Sequence, residues 1–300
     1  MGSVTGLAGL AERLRSRAIR TFHAGLAALR GSGEAKRDVA VEIKSRSEIE
    51  KMRATCALAA SVLDFIEPHV VPGVTTDELD RLCHDYIVKH GAYPSPLNYK
   101  GFPKSICTSV NEVICHGIPG DRALKAGDII NLDITTTLDG YFGDCSDMYI
   151  VGGETTPEAV KLIDITRQSL WLGIAEVAPG KHIGDIGAAI SEFAGKQHGF
   201  GVVEAFCGHG IGREFHMSPQ VSHVGKRGVG MRMKPGMTFT IEPMINIGTK
   251  HCDVLKDGWT AVTQDKKWSA QAEHTVLVTE HGYEVLTLRP RGWQPSKRAS

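Results

Sequence analysis

No charge of one sign predominates in this sequence: 34 Lys and Arg are balanced by 34 Asp and Glu. The chain as a whole therefore has no electrostatic pull toward nucleic acid or an anionic membrane. No apolar run approaches the ~18–20 residues that a membrane-spanning helix needs. The seven cysteines are odd in number and include no Cys-x-x-Cys pair and no disulfide-like spacing. A structural zinc site and a disulfide-stapled secreted fold are both disfavoured, and free thiols in a reducing compartment are expected. With 42% hydrophobic and 23% charged residues over 300 positions, what remains is an ordinary globular chain of one large domain or two small ones.

The one compositional break is at the start. The first 33 residues hold five arginines (Arg13, Arg15, Arg17, Arg20 and Arg30) against a single acid, Glu12. Leu7, Leu10, Leu14, Ala18, Phe22, Leu26 and Leu29 fall on one helical face, opposite Arg13, Arg17 and Arg20. This reads as a short amphipathic appendage, with a transit peptide or a surface-binding helix as the alternatives. Residues 1–44 are therefore expected to be an extension and linker, and 289–300 a basic disordered tail.

The body between them repeats itself. Pro72-Gly73, then Asp77, then His90-Gly91 thirteen residues on, is echoed by Pro179-Gly180, Asp185 and His198-Gly199 at the same final spacing. Each aspartate is placed to cap a helix that His-Gly ends. Longer helices are expected before each copy, over 49–66 and 157–177. "LKAGDIINLD" (124–133) and "MKPGMTFTIE" (233–242) both run Lys-x-Gly into a strand that finishes on an acid, and His-Gly-Ile precedes each of them. Three echoes in one order imply two similar halves, with helices covering a mainly antiparallel sheet in an α+β fold.

The acids sit where that sheet can gather them. Asp139-Gly140 is a two-residue hairpin signal; it sets Leu138 opposite Tyr141 and Asp133 opposite Ser146, with Asp144 on the face of Asp133. The diagonal separation is about 7–8 Å, close enough for both to reach one metal pair. Asp147 points the other way and reads as a surface or structural residue. A single buried aspartate would be read as a backbone cap, but Glu242 and Glu273 lie in apolar β-rich runs as well, and such carboxylates need a cation. With His209 they form a hard, oxygen-rich set with one nitrogen, suited to Mn2+, Fe2+, Co2+ or Zn2+. Two ions are more natural than one, and a pair can hold a bridging hydroxide and clamp a tetrahedral intermediate.

"SPLNYKGFPKSICTSVNEVICHGIP", "NLDITTTLDGYFGDCSDMY", "GHGIGREFH", "GMTFTIEPM" and "DGWTAVTQDKKWSAQAEHTVLVT" together resemble the type I methionine aminopeptidases of the creatinase-like pita-bread fold. The resemblance spans 45–288. It implies removal of N-terminal methionine from nascent polypeptides when the second residue is small, with Asp133, Asp144, His209, Glu242 and Glu273 as ligands of two divalent ions, Asp144 and Glu273 bridging. It further implies that Glu242 moves the proton, that His116 and His216 hydrogen-bond substrate and intermediate, and that Tyr99, Phe102, Cys107, Phe215 and Trp259 enclose the methionine side chain. Lys100 and Ala272 depart from the pattern of some relatives and put contacts at the rim in doubt. A monomeric cytoplasmic enzyme is expected, mitochondrial or plastid if residues 1–33 are a transit peptide, with the ribosome surface as a partner for the basic arm. Prolidases and Xaa-Pro aminopeptidases share the ligand set, but carry a separate N-terminal domain that 44 residues cannot supply. Non-catalytic pita-bread binding proteins have lost ligands that this sequence keeps.

Overall fold

The computed structural model describes residues 41–289 and 292–294; the amphipathic helix expected within 1–33 lies outside them. Among the described residues four α-helices carry the outer layer: α1 (Arg46–Ile66), α2 (Thr76–Lys89), α3 (Pro157–Ile174) and α4 (Ile183–Ile190), the last running into a π-helical stretch, Ser191–Gln197. Ser45 opens α1 with a reciprocal cap, its hydroxyl taking the Glu48 N–H while the Glu48 carboxylate takes the Ser45 N–H. Thr156 caps α3, with Pro157 at the first position.

The expected caps of the repeat need correction. Thr75, not Asp77, caps α2, because its hydroxyl takes the Glu78 N–H and leaves Asp77 in the first turn. At α4 the cap position is His182, and Asp185 contributes from inside by accepting the His182 N–H at 2.7 Å. Both aspartates favour the positive helix start without being the cap. The His-Gly stops hold, since Gly91 and Gly199 adopt φ of 77° and 74°.

Fifteen strands follow in chain order: β1 (Tyr93–Pro94), β2 (Cys107–Val110), β3 (Val113–Cys115), β4 (Ile129–Leu138), β5 (Tyr141–Ile150), β6 (Gly201–Val202), β7 (Gly208–Gly210), β8 (Met217–Val221), β9 (Thr238–Ile241), β10 (Met244–Asn246), β11 (Cys252–Val254), β12 (Ala261–Thr263), β13 (Ser269–Gln271), β14 (Glu273–Val278) and β15 (Tyr283–Val285). The main sheet is ordered β1-β4-β5-β14-β9-β7-β8, with β2 on β4 and β15 on β14; β13-β10-β6 and β11-β12-β3 form two smaller sheets. Among the described residues every ladder of the main sheet is antiparallel.

The duplication appears as two hydrophobic cores. One packs Leu63 and Ile66 of α1 and Leu79 and Ile87 of α2 against Leu132 and Ile134 of β4. The other packs Leu162 and Leu170 of α3 and Ile186 of α4 against Phe239 of β9 and Val276 of β14. The first helix can lie close on its sheet because β5 offers Gly143, where a Cβ would fall 2.6 Å from the Cys56 nitrogen. Thr55 locks the same contact through the Thr136 carbonyl and hydroxyl.

Three boundaries differ from expectation. β4 does not finish on Asp133 but continues through the β-branched run Thr135-Thr136-Thr137. α1 starts three residues earlier than expected, at its Ser45 cap, and α3 stops three residues earlier than expected. At the C-terminal end the expected tail begins with a buried residue, Arg289, bonded to Asp64, Glu67, Asp147 and the Tyr149 hydroxyl. Among the described residues, no helix is long and apolar enough to cross a membrane.

Candidate functional site

The hairpin β4–β5 turns at Asp139-Gly140, both residues having positive φ (50° and 77°), as a type I′ turn requires. Its register is the expected one, Leu138 opposite Tyr141, Asp133 opposite Ser146 and Thr135 opposite Asp144. On the other side of β5, Ser146 faces Glu273 of β14, so Asp133, Ser146 and Glu273 form one row across three strands. The β14–β9 ladder ends at His274 opposite Ile241, which sets Glu273 beside Glu242 one step further. β7 then pairs with β9, and the His209 N–H donates to the Thr240 hydroxyl at 3.0 Å. Adjacent strands β4, β5, β14, β9 and β7 thus deliver Asp133, Asp144, Glu273, Glu242 and His209 in that spatial order.

The side chains converge. His209 Nε2 is 3.7 Å from an oxygen of Asp144 and 3.7 Å from an oxygen of Glu242. Asp144, His209 and Glu273 each offer a ligand atom within 4.8 Å of the others. Asp144 and Glu273 are the most deeply buried, each 3% exposed. Among the described residues no lysine or arginine nitrogen lies within 4 Å of these four carboxylates. The described residues supply no cation of their own to this cluster of buried and half-buried acids.

The electrostatics follow. Burial pushes Asp133 up to about 7 and Glu242 up to about 8. Burial and the neighbouring carboxylates hold Asp144 and Glu273 well above the usual range. Burial lowers His209 to about 4, His116 to about 4 and His216 to about 2, so all three imidazoles are neutral at pH 7. Such crowded acids beside a neutral imidazole nitrogen fit a divalent cation by donor chemistry: oxygen-rich, with one nitrogen and no competing internal charge.

The remaining expected residues frame this cluster. His216 stacks on Tyr99 at 5.2 Å and 19°, with its ring centre 4.1 Å from that of His209. Phe215 packs 4.8 Å from Tyr99. Phe102 meets Trp259 edge-on at 5.2 Å, and His116 meets Trp259 edge-on at 6.2 Å. Cys107 is buried and stands directly opposite Asp133 in the β2–β4 ladder. His116 has φ of 57°, a left-handed turn just past β3. Gly117 then passes so close to β2 that a Cβ would overlap the Thr108 carbonyl. This explains why glycine follows the histidine.

Several supporting residues escaped the sequence reading. Thr135 donates to Asp144 Oδ1 at 2.8 Å, Thr240 to Glu242 Oε1 at 2.8 Å, and Gln271 to Glu242 Oε2 at 3.2 Å. Each lies two residues from an expected ligand (Asp133, Glu242 and Glu273), so the strand period of two could have found them. His223, which accepts the Glu242 N–H, carries no such signal.

Comparison with known proteins places these features. The profile of metallopeptidase family M24 matches residues 50–280. Methionine aminopeptidase A of Synechocystis sp. is 57% identical over 249 residues, covering 83% of this chain and 98% of that protein. The methionine aminopeptidase of Escherichia coli K12 is 53% identical over 253 residues, covering 84% and 95%. The crystal structure of methionine aminopeptidase from Rickettsia prowazekii superposes with a TM-score of 0.82 at 51% identity, over 83% of this chain and all of that one. The curled antiparallel sheet with its outer helices is therefore the pita-bread fold, and this chain belongs to metallopeptidase family M24, among its type I methionine aminopeptidases.

Proposed function

We propose that Asp133, Asp144, His209, Glu242 and Glu273 hold two divalent cations, and that the chain uses this centre to remove N-terminal methionine from polypeptides whose second residue is small. The single observation that carries the reading is the convergence of two buried and two half-buried carboxylates and a neutral imidazole from adjacent strands, with no cation among the described residues to balance them. The oxygen-rich set suits Mn2+, Fe2+, Co2+ or Zn2+. In the order of the strands Asp144 and Glu273 lie between the outer ligands, which supports them as the shared pair. Bound cations would supply Lewis acidity, polarising the scissile carbonyl and acidifying water.

The chain's own groups do the rest. Glu242, its carboxylate oriented by Thr240 and Gln271, takes a proton from the attacking water and passes it to the leaving amine. His216, kept neutral, donates an N–H to the carbonyl oxygen as negative charge develops there. His116, left-handed at the end of β3, reaches the substrate amide. Tyr99, Phe102, Cys107, Phe215 and Trp259 enclose the thioether, where aromatic–sulfur contact favours methionine. The second residue lies beside His116 and the Tyr99 loop, so a bulky one pushes the scissile carbonyl out of place, and ~1 Å of displacement costs about 10²-fold in rate.

A peptide series with defined metals tests this. Met-Ala, Met-Gly and Met-Ser ends should be trimmed, Met-Lys and Met-Leu ends should persist, and N-acetylated controls should be inert because an acetylated amine cannot ligate a cation. Equal rates across the series, or cleavage of acetylated peptides or of Xaa-Pro substrates in preference to Met-Ala, would overturn the reading.

A further inference from the structure

His223 follows β8 and is only 1% exposed. Its Nε2 lies 3.1 Å from the backbone nitrogen of Glu242. A backbone N–H only donates, so Nε2 carries a lone pair and the ring proton sits on Nδ1. Nδ1 itself meets no partner among the described residues. The imidazole is therefore committed to one contact.

The donor it serves is an unusual one. β9 ends at Ile241 and β10 begins at Met244, in a different sheet. Glu242 sits at that change of sheet, past the last ladder pair of β9 and before Pro243, which has no N–H and keeps its predecessor extended. The Glu242 N–H thus falls outside both ladders, in a half-buried place against the buried His223, where an unpaired donor is costly. The two oxygens of its carboxylate are already held by Thr240 and Gln271. What remains to be fixed is the peptide from which the side chain springs.

We propose that His223 is a positioning residue for Glu242, its ring nitrogen pinning the peptide at the β9–β10 kink and thereby aiming the carboxylate into the centre. This rests on the reading of Glu242 as ligand and proton carrier. An apolar residue of similar size would fill the space but leave the N–H loose. A glutamine can bring its amide oxygen to the place of Nε2, whereas the shorter asparagine places its oxygen near the place of Nδ1.

The experiment compares His223→Leu, His223→Gln and His223→Asn with Glu242→Gln, in the full chain. His223→Leu should lower kcat on a Met-Ala-Ser peptide and weaken Mn2+ binding by calorimetry, each by roughly 10–100-fold, the usual cost of losing a group that orients a ligand. KM should stay within about 3-fold, because the contact acts on the reacting centre rather than on ground-state binding. In the metal-free protein, hydrogen exchange at the Glu242 amide should accelerate at least ~10-fold once its acceptor is gone. His223→Gln should recover most of all three readouts, and His223→Asn should not. If the leucine variant fails to fold, the Gln-versus-Asn contrast decides, and any result in which Gln does not exceed Asn overturns the proposal. An inactive Glu242→Gln beside a His223→Leu with wild-type kcat, metal affinity and exchange would overturn it too. A fully active Glu242→Gln would instead remove the role assigned to Glu242.

Discussion

Asp144 and Asp147 stand three residues apart on β5, on opposite faces of the same strand. Asp147 is answered from within, by Arg167 at 2.8 Å and Arg289 at 2.9 Å. Asp144 meets no such cation among the described residues; beside the Thr135 hydroxyl, its neighbours are other acids and a neutral imidazole. The rear face is a closed account of charge, the front face an open one. A strand's structural and functional carboxylates are thus told apart by whether the fold supplies the counter-charge, not by burial.

The largest effect should come from closing the open face. Asp144→Asn is expected to abolish turnover, well beyond the ~10–100-fold that loss of an orienting group costs, and to lower metal content measured by elemental analysis. Near wild-type activity with full metal content would sink the assignment. The two histidines of the Gly-rich loop sharpen the same distinction. His216→Ala should cost roughly 10²–10³-fold in kcat, as loss of an oxyanion donor does, while metal stays bound; His209→Ala should lose the metal itself. If both variants bind metal equally, the division of roles is wrong.

The rear face predicts the converse. Arg289→Met should destabilise by ~2–3 kcal/mol, less than the ~3–5 kcal/mol of a fully buried pair because Asp64 and Glu67 stay in contact with water. That corresponds to a fall in Tm of about 5–10 °C for a body of this size. Activity per folded molecule should change less than about 3-fold, and a loss matching that of Asp144→Asn would erase the contrast between the faces.

The smallest effect is one of pH. Carboxylates raised to about 7 and about 8 at Asp133 and Glu242 stabilise the metal-free fold below their unfolded values, and that contribution is lost as pH rises through 7 and 8. The buried histidines act in the opposite sense, His116, His209 and His274 being lowered to about 4; their contribution is complete above about 6.5 and lost toward pH 4. Between pH 7 and about 8 the acids dominate; the buried thiols of Cys56, Cys83, Cys107, Cys115 and Cys145, also raised by burial, join only toward their ordinary value of 9. Metal-free protein should therefore lose Tm between pH 7 and about 8, and Mn2+ should abolish the slope in that window. A flat metal-free profile in thermal scans would contradict the open face.

The legible parts of this site were the local ones. Asp139-Gly140 sets a hairpin, and a hairpin fixes its register, so the Asp133–Ser146 and Thr135–Asp144 pairs could be counted outward from the turn. Nothing local says that β14 inserts between β5 and β9, because that pairing depends on how the sheet closes. For the same reason His223 escaped: it meets Glu242 only through the change of sheet at Pro243. The misjudged caps have a nearer cause, since Thr and Asp at 75–77 compete for one position and the hydroxyl wins it.

The strand order of the centre has a consequence in time. Its ligands span residues 133 to 273, and the strand carrying Glu273 sits between two that are both made before it. During synthesis the chain therefore exposes three acids and a histidine without their central member, and half of the inner pair is missing until that late strand threads into place. The centre would therefore stay incomplete, and turnover absent, until the strand carrying Glu273 had been made.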